Sequence, residues 1–156
     1  MHQGSCPYAQ ATSVCSNILC RQLSIFSVHV YPDGSRIATC GLDAKIYIWI
    51  TKPLLNEAAD AVNRPPKSLC TLTVHTGPVL AVHWAYSERW LSSRSDDEII
   101  MIRDLDPTGS RKVWSSDGVN AEGWKPPKCL PGHESDVTDL AWAPEDRFLA
   151  STGLYS

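Results

Sequence analysis

Residues of the three types that form hydrolytic triads occur in one short stretch of this sequence, as His75, Ser93 and Asp97. In a serine hydrolase the imidazole takes the proton of the serine hydroxyl, and the carboxylate orients the imidazole. The histidine and serine types recur further along the chain as His133 and Ser151. A unique active site does not repeat along a chain, so this recurrence favours a structural role over catalysis.

Other residues that could bind metals or cofactors form no complete motif. The carboxylate run Asp96-Asp97-Glu98 lies in a predicted turn, without EF-hand spacing or a second acidic cluster. The six cysteines form no CxxC pair and match no zinc spacing, so we expect reduced thiols. The GxGxxG, P-loop, HExxH and GxSxG motifs are absent. The sequence therefore predicts no metal and no cofactor.

The elements that must position these polar residues are short strands. Apolar and polar residues alternate from Phe26 to Val30, which is the period of a strand with one buried face. Residues 32–35, Pro-Asp-Gly-Ser, have the chemistry of a tight turn. Two further apolar runs, 37–40 and 46–49, follow with a second turn between them. This pattern predicts a three-stranded β-meander.

The sequence contains almost three copies of this meander pattern. A shift of 54 residues aligns 25–49 with 79–103 without a gap, and a further shift of 58 aligns the third copy, which starts at Val137. So many matched positions, with both turns kept in place, indicate a repeat architecture rather than chance. The matched residues include Ile25 with Val79, Val28 with Val82 and Leu140, Trp84 with Trp142, Ile37 with Leu91 and Leu149, Asp43 with Asp97, and His75 with His133.

These motifs resemble the WD40 repeat. The shared order is a His, a Val four residues later, an alternating strand, a Pro-Asp-Gly-type turn, Leu-Ala-Ser, an Asp, and a Trp six residues after it. The segments IFSVHVYPDGSRIATCGLDAKIYIW, SDDEIIMI and PGHESDVTDLAWAP, with long inserts between them, resemble the amino-terminal propeller of the HIRA family of histone chaperones in its fungal form. The resemblance implies an all-β fold, a partial WD40 propeller of about two and a half blades of four-stranded antiparallel sheet.

The resemblance also implies a buried hydrogen-bond network in each blade, in which Asp orients His, His bonds a Ser or Thr hydroxyl, and the hydroxyl bonds the Trp N–H. Arg21, Arg103 and Tyr155 stand where the pattern expects a His, a Trp and an Asp, and Arg94 replaces a small residue. Each lost bond costs on the order of 1 kcal/mol. The expected network residues are Thr39, Asp43, Trp49, His75, Ser93, Asp97, His133 and Ser151.

The sequence divides into three blade segments and the segments around them. We expect a divergent head at 1–24 that is disordered or supplies one outer strand, blade 1 at 25–50, an insert at 51–67, blade 2 at 68–105, a loop insert at 106–127, and the start of blade 3 at 128–156. Closed propellers use roughly four to eight blades, so we expect a fragment whose open edges favour association.

The second insert supplies candidate partner contacts, because exposed loops with aromatic and basic side chains commonly bind partners. These candidates are Trp114, Trp124, Arg111 and Lys112. The alternative is that each Trp folds back onto the blade surface.

The resemblance implies a non-enzymatic scaffold in a nuclear histone chaperone complex, acting in replication-independent nucleosome assembly, chromatin organisation and transcriptional regulation. The implied partners are a ubinuclein-type (Hpc-like) subunit and, indirectly, core histones. A net charge of −3 weighs against a dominant nucleic-acid role, and no stretch approaches the roughly 20 apolar residues of a membrane span. The alternatives are a generic WD40 adaptor, such as a ubiquitin-ligase substrate receptor, and an enzyme that uses His75, Ser93 and Asp97.

Overall fold

The computed structural model describes residues 24–51, 68–73, 75–106 and 123–154, which form three antiparallel sheets. Apart from one 3-10 turn at Pro144–Asp146, the regular elements in these ranges are strands, which confirms the all-β prediction. No helix in these ranges is long and apolar enough to cross a membrane. The strands are β1 (Ile25–Val30), β2 (Arg36–Gly41), β3 (Lys45–Ile50), β4 (Ser68–Thr73), β5 (Val79–Trp84), β6 (Trp90–Ser95), β7 (Ile100–Asp106), β8 (Gly123–Trp124), β9 (Lys128–Leu130), β10 (Val137–Trp142) and β11 (Leu149–Gly153).

The main hydrophobic core lies between the first two sheets. The first sheet has the order β1-β2-β3-β4, the second has β5-β6-β7 with β8 and β9 both paired to β7, and the third is β10-β11. Ile48 of β3 and Val82 of β5 are fully buried in this core. A smaller cluster joins the second and third sheets through Ile100, Val137 and Leu140. Each sheet therefore buries its apolar face against the next one along the chain.

The hydrogen bonds divide the strands differently from the sequence-based blades. Strand β4, which was grouped with blade 2, pairs with β3 of the first sheet. In the same way β9, which was grouped with blade 3, pairs with β7 of the second sheet. The sequence repeat begins at the strand before each His, whereas the backbone bonds attach that strand to the preceding sheet. The outer strand of each of the first two sheets thus comes from the next repeat.

The outer edge of the second sheet is broken in two. Gly123–Trp124 pairs with Leu105 and Asp106, although 106–127 was expected to be a loop throughout. The pairing stops before Pro126-Pro127 and resumes at Lys128, because proline has no N–H to donate to a ladder. The rest of that insert and the insert at 51–67 lie outside the described residues apart from Thr51.

The three copies of the meander share their irregular features as well as their strands. The first strand of each copy has a register shift between its first and third residues. Each first turn is closed by the same backbone bond, and the donor and acceptor positions are related by the sequence shifts of 54 and 58. These bonds run from Tyr31 N to Arg36 O (2.9 Å), from Ala85 N to Trp90 O (2.8 Å) and from Ala143 N to Phe148 O (2.9 Å).

Candidate functional site

The second blade brings together the three residues that could have formed a triad. His75 lies just before β5, Ser93 in β6 and Asp97 in the turn between β6 and β7. The Nδ1 atom of His75 is 2.9 Å from Asp97 Oδ2, and its Nε2 atom is 2.9 Å from Ser93 Oγ. Asp97 Oδ2 also accepts a bond from the backbone N–H of Thr76 at 3.1 Å. These bonds attach the segment just before β5 to strand β6 and to the turn that follows β6.

Burial separates this arrangement from a working triad. His75 is 5% exposed and Ser93 is 2% exposed, so the serine oxygen is almost entirely shielded from solvent. Burial lowers the pKa of His75 against the opposing effect of its bond to Asp97, so the imidazole is neutral at pH 7. In that form Nδ1–H donates to Asp97 and Nε2 accepts the Ser93 hydroxyl. All the polar atoms of the site are then satisfied by one another.

The first blade contains only part of the expected network. Trp49 Nε1 donates to Thr39 Oγ1 at 2.9 Å, as the pattern requires. Asp43 instead accepts from the Tyr47 hydroxyl at 2.7 Å and from the Lys45 backbone N–H at 3.2 Å. Burial and the Asp43 bond raise the pKa of Tyr47 to about 12. The expected His position is Arg21, outside the described residues, and Tyr47 is the hydroxyl that satisfies the carboxylate.

The third blade keeps the histidine–serine bond at the surface. His133 Nε2 is 2.8 Å from Ser151 Oγ, and the pair is exposed to solvent. The lack of a side chain at Gly153 leaves room for the His133 ring, because a Cβ at this position would lie 2.6 Å from His133 Nδ1. Tyr155, which replaces the expected Asp, lies outside the described residues. The bond is the same as in the second blade, in a more solvated setting.

Two arginines that depart from the repeat pattern link neighbouring sheets. Arg103 takes the position of the missing Trp, and its Nη2 donates to the carbonyl of Thr73 in β4 at 3.1 Å. Arg94 Nη1 donates to the carbonyl of Val137 in β10 at 2.5 Å. Burial lowers the pKa of both guanidinium groups. Both residues therefore add hydrogen bonds between neighbouring sheets.

Further bonds between blades come from residues that the sequence did not single out. His29 Nδ1 accepts the backbone N–H of Trp84 at 3.1 Å, and the Tyr31 hydroxyl donates to Glu88 O at 2.8 Å. Asp146 accepts the backbone N–H groups of Tyr86 (2.7 Å) and Ser87 (2.5 Å). Asp146 lies in the third copy of the first turn, so the repeat alignment is the signal that could have identified it.

The candidate partner contacts are only partly described. Trp124 packs against the main core, with its ring centroid 5.6 Å from that of Trp84, as expected if it folds back onto the blade. Arg111, Lys112 and Trp114 lie outside the described residues. In the ranges that the structure covers, no three His, Cys, Asp or Glu side chains are grouped to hold a metal ion.

A cavity of about 310 Å³ opens between the second and third sheets. Its aromatic wall is formed by Trp90 and Trp142, whose rings stack at 5.9 Å. Asp104 lines the cavity and forms ion pairs with Arg89 (2.8 Å) and Lys125 (3.1 Å). The hydrogen bond from Arg89 is the main reason that the pKa of Asp104 is lowered to about 2. It is a concave surface in the described part of the chain that could receive a ligand.

Comparison with known proteins identifies the repeats. The family model described as WD domain, G-beta repeat matches residues 13–49, 66–104 and 124–155. Its first match begins within the 1–24 segment that the sequence patterns left outside the repeats. The crystal structure of RRP9 WD40 repeats superimposes with a TM-score of 0.60 and 21% identity, over 84% of this chain and 33% of that one. That likeness shows the fold.

Curated relatives share much more sequence. HIR1 of Cryptococcus neoformans var. neoformans serotype D is 50% identical over 85% of this chain, HIR1 of Mycosarcoma maydis is 52% identical over 85%, and HIRA of Oryza sativa subsp. japonica is 40% identical over 85%. The matched region is 15%, 13% and 14% of those proteins, respectively. The chain thus spans about one seventh of the length of these relatives. It belongs to the WD40 repeat family, and its resemblance to the HIRA and HIR1 proteins is confirmed.

Proposed function

We propose that this chain forms part of a non-enzymatic WD40 scaffold in a nuclear histone chaperone complex. The complex would act in replication-independent nucleosome assembly, and so in chromatin organisation and transcriptional regulation. The observation that carries this proposal is the 50% identity to a fungal HIR1 protein over 85% of the chain. Identity at this level across nearly the whole chain supports shared surfaces as well as a shared fold.

The proposed direct partner is a ubinuclein-type (Hpc-like) subunit, and core histones are reached indirectly through the complex. The 14 Lys and Arg residues are outnumbered by 17 Asp and Glu residues. This balance argues against sequence-specific nucleic-acid binding, which needs a basic surface. Protein partners are therefore the favoured class.

Affinity capture tests the scaffold proposal. The tagged chain is expressed in its own cells, captured from nuclear extract, and its partners are identified by mass spectrometry. We expect subunits of a histone chaperone complex. Recovery of cullin adaptors without any histone chaperone subunit would instead support a ubiquitin-ligase adaptor.

Two variants make the capture specific. Val82→Asp introduces a charge at a fully buried position of β5 and should abolish recovery, because the blades cannot pack. Lys45→Glu changes an exposed position of β3 and should leave recovery unchanged. Equal recovery with both variants would show that capture does not depend on the folded blades.

The non-enzymatic part of the proposal is supported by the burial of Ser93 and His75 and by the recurrence of the pair in the third blade. A fluorophosphonate that reacts with activated serines tests it directly. We expect no labelling of the native chain. Labelling that disappears in Ser93→Ala would establish the enzyme alternative.

A further inference from the structure

The cavity between the second and third sheets has an aromatic wall and an apolar floor. Trp90 and Trp142 stack nearly parallel, with 17° between their planes, and Ile102 and Leu149 lie beside them. Phe148 stands at the rim with 71% of its surface exposed. At about 310 Å³ the cavity suits one large side chain.

The first blade junction shows what kind of side chain fits this position. Trp84 is the repeat equivalent of Trp142, and it is 3% exposed. Its indole is covered by Trp124 at 5.6 Å and by the edge of Tyr31 at 4.8 Å. Trp142 is only half-buried and faces the open cavity. An aromatic ring therefore has a precedent within this chain for packing on the repeated indole.

The charges around the cavity favour acidic residues next to an aromatic side chain that inserts there. Asp104 is already paired with Arg89 and Lys125, and Asp146 already accepts two backbone N–H groups. Lys128 and Arg147 also line the cavity, are exposed, and form no ion pair with any residue in the described ranges. The charge that remains available at the rim is positive.

We infer that this cavity binds a short acidic peptide segment of a partner protein, which inserts one aromatic side chain against Trp142 and Trp90 and places carboxylates beside Lys128 and Arg147. This inference rests on the proposed scaffold function, because it names the site and the chemistry of one partner contact. The aromatic ring supplies apolar burial, and the carboxylates supply orientation and steering.

A blocked peptide of sequence Asp-Glu-Trp-Glu-Asp is the probe, titrated into the whole chain and followed by NMR at the indole N–H signals. We expect binding with a dissociation constant on the order of 0.1–1 mM, with shifts at Trp90 and Trp142. Replacing the central Trp of the peptide by Ala should abolish binding, and replacing its four acids by Lys should weaken it at least about tenfold.

Variants of the chain locate the site. Lys128→Glu combined with Arg147→Glu should weaken binding about tenfold, and Phe148→Ala should weaken it a few-fold. Lys45→Glu is the matched control, since it reverses an exposed strand lysine in the first sheet and should leave binding unchanged. These positions are exposed, so thermal melts should show folding like that of the unmodified chain.

Three results would overturn the inference: no binding of the acidic Trp peptide, equal weakening by Lys45→Glu and by the Lys128→Glu, Arg147→Glu double variant, or a dimer in ultracentrifugation that Phe148→Ala abolishes, which would place a second copy of the chain at the cavity. Peptide binding together with a failed capture of chaperone subunits would overturn the proposed complex and leave the site standing. Successful capture with no peptide binding would remove the site and leave the complex.

Discussion

His75 is held at both nitrogens of its ring, by Asp97 and by Ser93, and is almost fully removed from solvent. Burial lowers its pKa, and it also lowers the pKa values of the half-buried His29 and His83. Asp97 opposes this effect at His75 without reversing it. The folded chain therefore holds its inner imidazoles neutral at a pH where an unfolded chain begins to protonate them.

These shifts predict that acid destabilises the chain. As the pH is lowered past the unfolded histidine pKa of about 6.5, the unfolded state binds more protons than the folded state. The free energy of unfolding therefore decreases as the pH is lowered. We expect the melting temperature to drop progressively from pH 7.5 to 5.5 in thermal melts followed by circular dichroism. Asp104 does not contribute in this window, because its pKa of about 2 keeps it charged. A rising melting temperature in acid would contradict the assignment of neutral histidines.

Two serines allow the buried and exposed forms of the same bond to be compared. Ser93→Ala leaves His75 Nε2 buried without a partner, at a cost of about 1–3 kcal/mol in the free energy of unfolding. Ser151→Ala removes the bond to His133 at the surface, where water replaces it, so the cost should be below about 0.5 kcal/mol. Urea unfolding of the two variants measures the difference. Equal losses would show that burial does not govern these networks.

At the scale of elements, the same turn follows the first strand of each copy and requires a left-handed residue. Gly34, Glu88 and Asp146 occupy equivalent positions with φ of 72°, 64° and 55°. Only the first copy uses glycine, the residue that adopts this conformation without steric cost. The other two copies carry backbone strain that the surrounding hydrogen bonds hold in place.

This turn predicts opposite effects for two substitutions. The Cβ that Gly34→Ala adds would meet no atom within 4 Å, so the substitution acts only through the backbone conformation. It should destabilise the chain by about 1 kcal/mol. Glu88→Gly relieves the same strain in the second copy and should stabilise it by up to about 1 kcal/mol. Chemical unfolding of both variants is the measurement. The same sign for both would mean that the turn is not under backbone strain.

The sequence predicted the elements better than it predicted their partners. Alternation and turn residues were sufficient to locate strands between Ile25 and Ile50, because both signals are local. The assignment of β4 and β9 to the preceding sheets was missed, since no local pattern says which neighbour a strand joins. The Asp43–Tyr47 bond is local, but the repeat pattern pairs this Asp with a histidine and gave no reason to pair it with Tyr47. Hydrogen bonds between blades depend on how whole sheets are placed, which single residues do not encode.

At the scale of the whole molecule, the chain presents an apolar face on β1. Phe26, Val28 and Val30 are 47%, 56% and 53% exposed. Val82 and Trp84 are the repeat equivalents of Val28 and Val30, and both are buried against the first sheet. The same surface is thus covered at one blade and uncovered at another, which favours association through it.

We therefore expect the isolated chain to self-associate in a concentration-dependent way. Val28→Glu should reduce this association, because it places a charge on the exposed face without touching the buried core. Light scattering coupled to size-exclusion chromatography measures the mass at increasing concentration. A monomer at every concentration, with or without the substitution, would show that this face does not drive association.

The three blades share one fold only if the meander forms in the same way in each copy. Amide hydrogen exchange measured by NMR tests this most directly at the equivalent backbone donors of Tyr31, Ala85 and Ala143, which close the first turn of each copy. We predict that all three amides exchange slowly compared with the same residues in the unfolded chain. Rapid exchange at one of these amides, with the other two protected, would show that this copy does not adopt the shared fold.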